Sequence, residues 1–386
     1  MKFSIFGLWV YSLLNEYRVL ILIAHIKLSF IFAFLYVVLN YKKTLNILKK
    51  ERYTLYLYLL IVISIVLNDL IVDANMKNTI KSVLLHFFSF YLFIFFVSIF
   101  SKNESYFPRF LIIFSLSLLF FKNQEYLLDL SRVFDAPYFK SRLSSLILYS
   151  TIGVSYFLIE KNKERYAVLL MIISFFILQH YGSRSTSSIL FVTLLCFVFL
   201  TRYRLKSIYL YSLPLVIYLI YYYLLNNNPE IIAEIIIARI DLFSSIYVLV
   251  DNFPLGIGSG GIVDNSASIE AISSIYNFSS IDVHSASNSE YSTSHSLVFG
   301  AMFKNGLFAS IPLYYLLFKI LHLNIKTINY SYKEKKTRGR VLLSTYIVIF
   351  MVYSMIFSGY GQFLTIFPIM YAATISIFRN GKTIYL

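Results

Sequence analysis

Charge is what this chain has least of. Only 14% of its residues are Asp, Glu, Lys or Arg, against about a quarter in soluble globular domains. The single cysteine, Cys196, lies inside an apolar run, which excludes a disulfide framework and a thiolate metal site. No H-E-x-x-H and no paired Asp/His cluster occurs, so neither a metal nor another cofactor is expected. A small-residue cleavage site is also missing after the first apolar stretch, Phe3–Leu14, which runs through NEYR into a second apolar run; a cleaved signal peptide is not expected. What is abundant is apolar surface: 58% of residues are hydrophobic, with 37 Phe and 34 Tyr. Such a chain cannot cover itself with water-compatible side chains, and a membrane is the solvent that fits.

A spanning helix needs about 20 mostly apolar residues. Runs of that kind fall near 19–39, 53–72, 82–100, 143–159, 166–181, 186–200, 207–225, 296–319, 341–358 and 363–378, and shorter ones at 3–14 and 109–121. The expectation is an all-α polytopic membrane protein of about twelve transmembrane helices with both termini on one side. Charge placement agrees. The intervening segments YKKTLNILKKER (41–52), EKNKER (160–165), RYRLK (202–206) and YKEKKTRGR (332–340) alternate to one side. That side holds 21 of the 34 Lys and Arg, against 9 on the other and 4 within spans. By the positive-inside rule the basic side is cytoplasmic. The net charge of +15 then describes loops facing anionic lipid rather than a nucleic-acid surface.

The organisation is therefore N-terminal helices over 1–225, a long external loop over 226–295 and C-terminal helices over 296–386, in one membrane domain. The loop holds eight of the nineteen acids and one basic residue, Arg239. It opens on an apolar helix-like piece (EIIAEIIIARIDLFSSIYVLV, 230–250), passes through DNFPLGIGSGG and ends in a Ser/Asn-rich stretch. Loops of that length are functional or disordered; the amphipathic half and the Pro/Gly turn argue for function. GIGSGG satisfies the spacing G-x-G-x-x-G. A dinucleotide fingerprint, however, needs a strand before it and a helix after it, and the preceding segment reads as a helix. Pro254, Gly256 and Gly258 are expected to make a tight reversal where backbone closely approaches something else.

Three arginines belong to the side where positive charge is scarce: Arg184 in the short turn HYGSRSTSS, Arg239 in the loop, and Arg142 at the mouth of its span. Interfacial snorkelling explains an arginine at a helix end and accounts for Arg142 as well as function does. For Arg184 and Arg239 a phosphate partner is favoured, since the guanidinium fork donates bidentate hydrogen bonds and keeps its charge. His25 and His86 sit in apolar runs and read as packed residues; His322 is cytoplasmic; His180, His284 and His295 are external. His295 stands where the loop re-enters the membrane, and a neutral imidazole there can take a proton from a sugar hydroxyl. Lys304 lies inside a span and is a further functional suspect through its cost alone.

The order of these features, Ser183-Arg184 in a short external turn, Ala238-Arg239, then Pro254-x-Gly256-x-Gly258, then His295 with Gly306 about three turns on, resembles the O-antigen polymerase and O-antigen ligase superfamily of bacterial polytopic membrane glycosyltransferases. The likeness covers roughly 142–320. It implies a GT-C-like, metal-independent transferase acting on undecaprenyl-diphosphate-linked oligosaccharide as donor and acceptor in the inner membrane, its site facing the periplasm. It also implies His295 as catalytic base and Arg184 and Arg239, with Arg142, on the lipid diphosphate. The chain has His295-Ser296 where many members have His-Asn, and Lys304-Asn305 where an acid is frequent. A repeat-unit polymerase is the favoured activity, with a ligase to lipid A–core and a lipid-linked oligosaccharide flippase as alternatives. Membrane lipid, a chain-length regulator and a separate flippase are the candidate partners.

Overall fold

The computed structural model describes residues 18–21, 24–120, 137–180, 184–202, 250–261, 263–264, 291–292, 297–331, 337–357 and 360–382. The expected spans 3–14 and 207–225, and most of the loop 226–295, lie outside the described residues.

Helix dominates, as the long apolar runs require. In chain order the helices are α1 (Leu28–Leu39), α2 (Tyr41–Lys50), α3 (Arg52–Ile71), α4 (Met76–Phe100), α5 (Tyr106–Phe120) and α6 (Pro137–Glu160). They continue with α7 (Glu164–His180), α8 (Arg184–Arg202), α9 (Leu297–Ser331), α10 (Arg338–Phe357) and α11 (Tyr360–Lys382). Two antiparallel strand pairs interrupt them: β1 (Arg18–Ile21) with β2 (Ala24–Lys27), and β3 (Val263–Asp264) with β4 (Tyr291–Ser292).

The first pair corrects one expected span. Residues 19–39 read as one helix, but the chain forms a hairpin up to Lys27 and turns helical only at Leu28. The run RVLILIAHIK is rich in β-branched residues, and a short apolar run has no periodicity that separates strand from helix. Conversely, the apolar run 296–319 is only part of a longer helix. Helix α9 continues to Ser331, its last turns burying Asn324, Thr327 and Ser331, polar residues that end a hydropathy window without ending a helix.

By length and composition four described helical stretches can cross a membrane: Arg52–Ile71, Met76–Phe100, Leu143–Glu160 and Gly300–Ser331. Ile31–Leu39 with Tyr41–Lys50, bent by 97°, adds a fifth only if the pair is one span, and Tyr106–Leu116, Ser185–Thr201 and Ile366–Arg379 are shorter apolar helices. Their outer faces are apolar as well. Ile63, Leu67 and Leu70 are each more than half exposed at helical spacing along α3, and Ile311, Tyr315 and Phe318 repeat the pattern on α9. Stripes of this size mark contact with lipid or protein rather than water. The chain is thus a helical membrane protein.

Inside, aromatic rings fill the space. Phe93 of α4 stacks on Tyr371 of α11 with centroids 4.9 Å apart, and the Tyr371 hydroxyl lies 2.9 Å from Thr54 Oγ1 of α3. Polar side chains bridge helices where they are buried: Thr151 donates to Ser174 (2.8 Å), Asn324 to Thr374 (2.8 Å), and Ser376 to the Phe100 carbonyl (2.6 Å). Between membrane helices each such bond is worth about 0.6 kcal/mol, so packing carries most of the association.

Charge sorts to one end of the bundle. Arg379 pairs with Glu51, Arg338 with Glu164 and Arg340 with Glu104. These residues sit where α3, α7 and α10 begin and where α4 and α11 finish, so neighbouring helices alternate in direction. Helix α2, with Lys42, Lys43, Lys49 and Lys50, lies across this same end, where Lys43 donates to the Ser98 carbonyl. Arg340 holds Glu104 through two contacts, 2.5 Å from Nε and 3.1 Å from Nη2, and its side chain is only 8% exposed. Glu104→Gln removes the carboxylate that contacts that guanidinium and leaves Glu160 as the acid acting on it. We expect a loss of about 3 kcal/mol, the low end for a broken buried pair, read by denaturant titration in detergent, whereas Arg52→Gln at an exposed site changes stability by about 0.5 kcal/mol or less.

Candidate functional site

At the opposite end the glycine turn meets the bundle. Residues 250–252 are helical and 253–261 leave the helix. The Leu255 amide donates to the Asn252 carbonyl (2.9 Å), and the Gly261 amide to the Gly258 carbonyl (3.1 Å). Between them, four successive amides reach other parts of the chain. Gly256 N–H donates to Asn68 Oδ1 (2.9 Å) and Ser259 N–H to Asp69 Oδ1 (2.8 Å). Ile257 N–H donates to the Phe303 carbonyl (2.8 Å) and Gly258 N–H to the Lys304 carbonyl (3.0 Å).

Those two carbonyls are available because α9 breaks. In an unbroken helix Phe303 O would accept from residue 307 and Lys304 O from residue 308. Gly306 instead adopts φ 74°, ψ 179°, a region essentially restricted to glycine. The Leu307 amide turns to the Pro254 carbonyl at 2.9 Å. Helix and turn thus exchange partners, and kink and loop become one hydrogen-bonded unit. Gly256 permits the approach: a Cβ there would stand 2.5 Å from Gly306 N and 2.6 Å from the Lys304 carbonyl. The expected reversal with close backbone contact at Pro254, Gly256 and Gly258 is found, and its counterpart is the kink at Gly306.

Asn68 and Asp69, which hold two of these amides, are not among the residues the sequence motifs single out. They end α3 and are 5% and 2% exposed. The signal was an adjacent amide and acid within the apolar run ISIVLNDLIV, where a polar group demands a partner. Asp69 Oδ2 and Ser259 Oγ are buried with no hydrogen-bond partner among the described residues.

A cavity of about 190 Å³ opens beside the turn, lined by Asn78, Lys81 and Ser82 of α4, Ser259 and Gly260 of the turn, Lys304 and Asn305 of α9, and the apolar Leu85 and Leu364. Lys304, suspected for its place inside a span, is half-buried there; Lys81 is exposed.

The candidate catalytic and arginine positions divide differently. Arg184 begins α8 and Arg142 lies in the first turns of α6, both helices starting at the turn end. Ser185, next to Arg184, accepts from the hydroxyl of Tyr353 on α10 at 2.5 Å. The side chains of Arg184 and Arg142, and the whole of Arg239 and His295, lie outside the described residues. Among the described residues no three His, Cys, Asp or Glu converge as a metal site would require. Comparison with protein-family models, with curated proteins and with solved structures yields no match.

The two kinds of glycine contact separate experimentally. At Gly256 an added methyl meets backbone, whereas at Gly261 it meets the movable end of the Ile257 side chain. Gly256→Ala is expected to cost about 2 kcal/mol or more and Gly261→Ala about 1 kcal/mol or less, since only the second site can relax by rotamer change; thermal unfolding in detergent reads the difference.

Proposed function

We propose that the chain is a repeat-unit polymerase for an O-antigen or related polysaccharide, a GT-C-like glycosyltransferase with about twelve spans in the bacterial inner membrane. Both termini and the ion-paired end face the cytoplasm, and the turn end faces the periplasm. The observation that supports this reading best is the docked turn. The segment following the Arg239 stretch is tied by Pro254, Ile257 and Gly258 to the helix that follows His295, which supports a reading in which arginine and histidine serve one lipid-linked sugar.

The chemistry follows from charge. The acceptor hydroxyl attacks the anomeric carbon of the donor glycan, and the bond from that carbon to the diphosphate oxygen breaks. Undecaprenyl diphosphate leaves carrying the electron pair, and the anomeric configuration inverts. His295 takes the hydroxyl proton, which makes the oxygen a competent nucleophile. Arg184 and Arg239, with Arg142 at the rim, hold the diphosphate and stabilise the negative charge that grows on it, a role for fixed donors in a poorly solvated site. No metal is required, since the guanidinium groups supply the positive charge.

Two measurements test this. Deleting the gene leaves core capped by a single repeat if the protein is a polymerase, and unmodified core if it is a ligase; a ladder of unchanged length distribution overturns both. His295→Ala, Arg184→Ala and Arg239→Ala should each slow polymerisation by about 100-fold or more, the usual scale for losing a general base or a transition-state donor, while the protein remains inserted in the membrane. Long chains formed by all three variants would contradict the assignment.

A further inference from the structure

The bonds that dock the turn use its backbone amides, and polar side chains surround the cavity beside it. Lys304 of α9 and Lys81 of α4 both line this cavity, and Lys81 is close enough to act on Lys304 as a like charge. Neither meets an acid among the described residues, where the ion pairs all lie at the other end of the bundle. Ser259 is 6% exposed, lines the same cavity, and its hydroxyl has no hydrogen-bond partner among the described residues. Asn78 brings its amide against Gly260: a Cβ on that glycine would fall 2.2 Å from Asn78 Nδ2. Asp69, whose carboxylate holds the Ser259 amide, is not among the lining residues.

Two lysines facing one space repel each other, the more so because Lys304 is half-buried, and an acid or a bound anion relieves that cost. No acid is among the described residues that line the cavity, and a bound anion meets the need. Two positive charges call for about two negative ones, which a single carboxylate does not carry. A phosphoryl group does, and it offers several strong acceptor oxygens for the hydroxyl and amide as well as the two ammonium groups. The volume of about 190 Å³ exceeds the roughly 30 Å³ occupied by one water molecule several-fold.

We infer that this cavity binds a phosphate or diphosphate group, held by Lys81 and Lys304 as charged donors and by Ser259 and Asn78 as neutral ones. The group belongs either to a polyprenyl diphosphate or to the free anion. The lipid-linked form rests on the proposed function; the anion site itself does not. At the turn end of the bundle, it adds lysine contacts to the arginines already proposed to hold the leaving diphosphate.

The test uses the full chain in nanodiscs, titrated with inorganic pyrophosphate by calorimetry, with undecaprenyl diphosphate as competitor. Lys81→Gln and Lys304→Gln should each weaken pyrophosphate binding by about 10- to 100-fold, the scale for losing one charge-assisted bond, while Lys81→Arg and the exposed-site control Lys77→Gln keep affinity within a few-fold. Displacement of pyrophosphate by the lipid identifies the headgroup as ligand; its failure to displace identifies the free anion. The site is refuted if the wild-type protein binds neither probe, or if both Gln variants bind as wild type does. Should Lys304→Gln not fold, Lys81→Gln, at an exposed position, carries the test alone. Lysine-dependent binding together with an unchanged glycan ladder on gene deletion would keep this site and remove the polymerase assignment; the reverse pair of results would remove only the site.

Discussion

The exchange of hydrogen bonds between α9 and the glycine turn is the interaction on which the turn end of the molecule depends. A helix break in apolar surroundings exposes carbonyls that no water can satisfy, at several kcal/mol each. Here the Phe303 and Lys304 carbonyls released by the Gly306 kink accept from Ile257 and Gly258, and Leu307 donates to Pro254 in return. Each partner satisfies the other: without the turn the Phe303 carbonyl loses its donor and the Lys304 carbonyl keeps only Asn68 Nδ2 at 3.4 Å, and without the kink the Ile257 and Gly258 amides lose their acceptors. Asn68 and Asp69 complete the unit by taking the two remaining amides, Gly256 and Ser259, which fixes the turn to α3 as well as to α9.

This unit gives the bundle two unlike ends. At one, side-chain ion pairs join helix termini, an arrangement that tolerates water and loop variation. At the other, backbone bonds carry the joining and the charged side chains of Lys81 and Lys304 stay uncommitted to acids among the described residues. Fixed donors next to unneutralised positive charge suit the recognition of a phosphorylated lipid, because such donors cost no reorganisation when the anion arrives. The proposed transferase chemistry draws on the same end, where α6 and α8 begin with Arg142 and Arg184 close to their first turns.

Much of the architecture was legible in the sequence because hydropathy over 20 residues overrides local preference. Helices α3, α4, α6 and α7 fall close to the apolar runs that announced them, and Pro254 with its glycines announced a close backbone approach. Three things were not legible. The hairpin at Arg18–Lys27 uses the same aliphatic residues a helix would. The break at Gly306 leaves no mark in a hydropathy profile, since one glycine in a long apolar run reads as small rather than as kinked. The partnership of Gly256 with Asn68 joins residues far apart in sequence, and only a folded bundle reveals which of many buried polar groups meets which amide. Lys304 stood out by its cost, but Lys81 was one more basic residue near a helix start until the cavity joined the two.

The most direct measurement is hydrogen–deuterium exchange on the intact protein in nanodiscs, following the peptide over 254–259 and the helical peptide over 303–307. If the turn is a bonded part of the bundle, its amides exchange as slowly as those of α9, and Asn68→Ala accelerates both segments together. Exchange of the turn at the rate of an open loop, with α9 protected and indifferent to Asn68, would contradict the account.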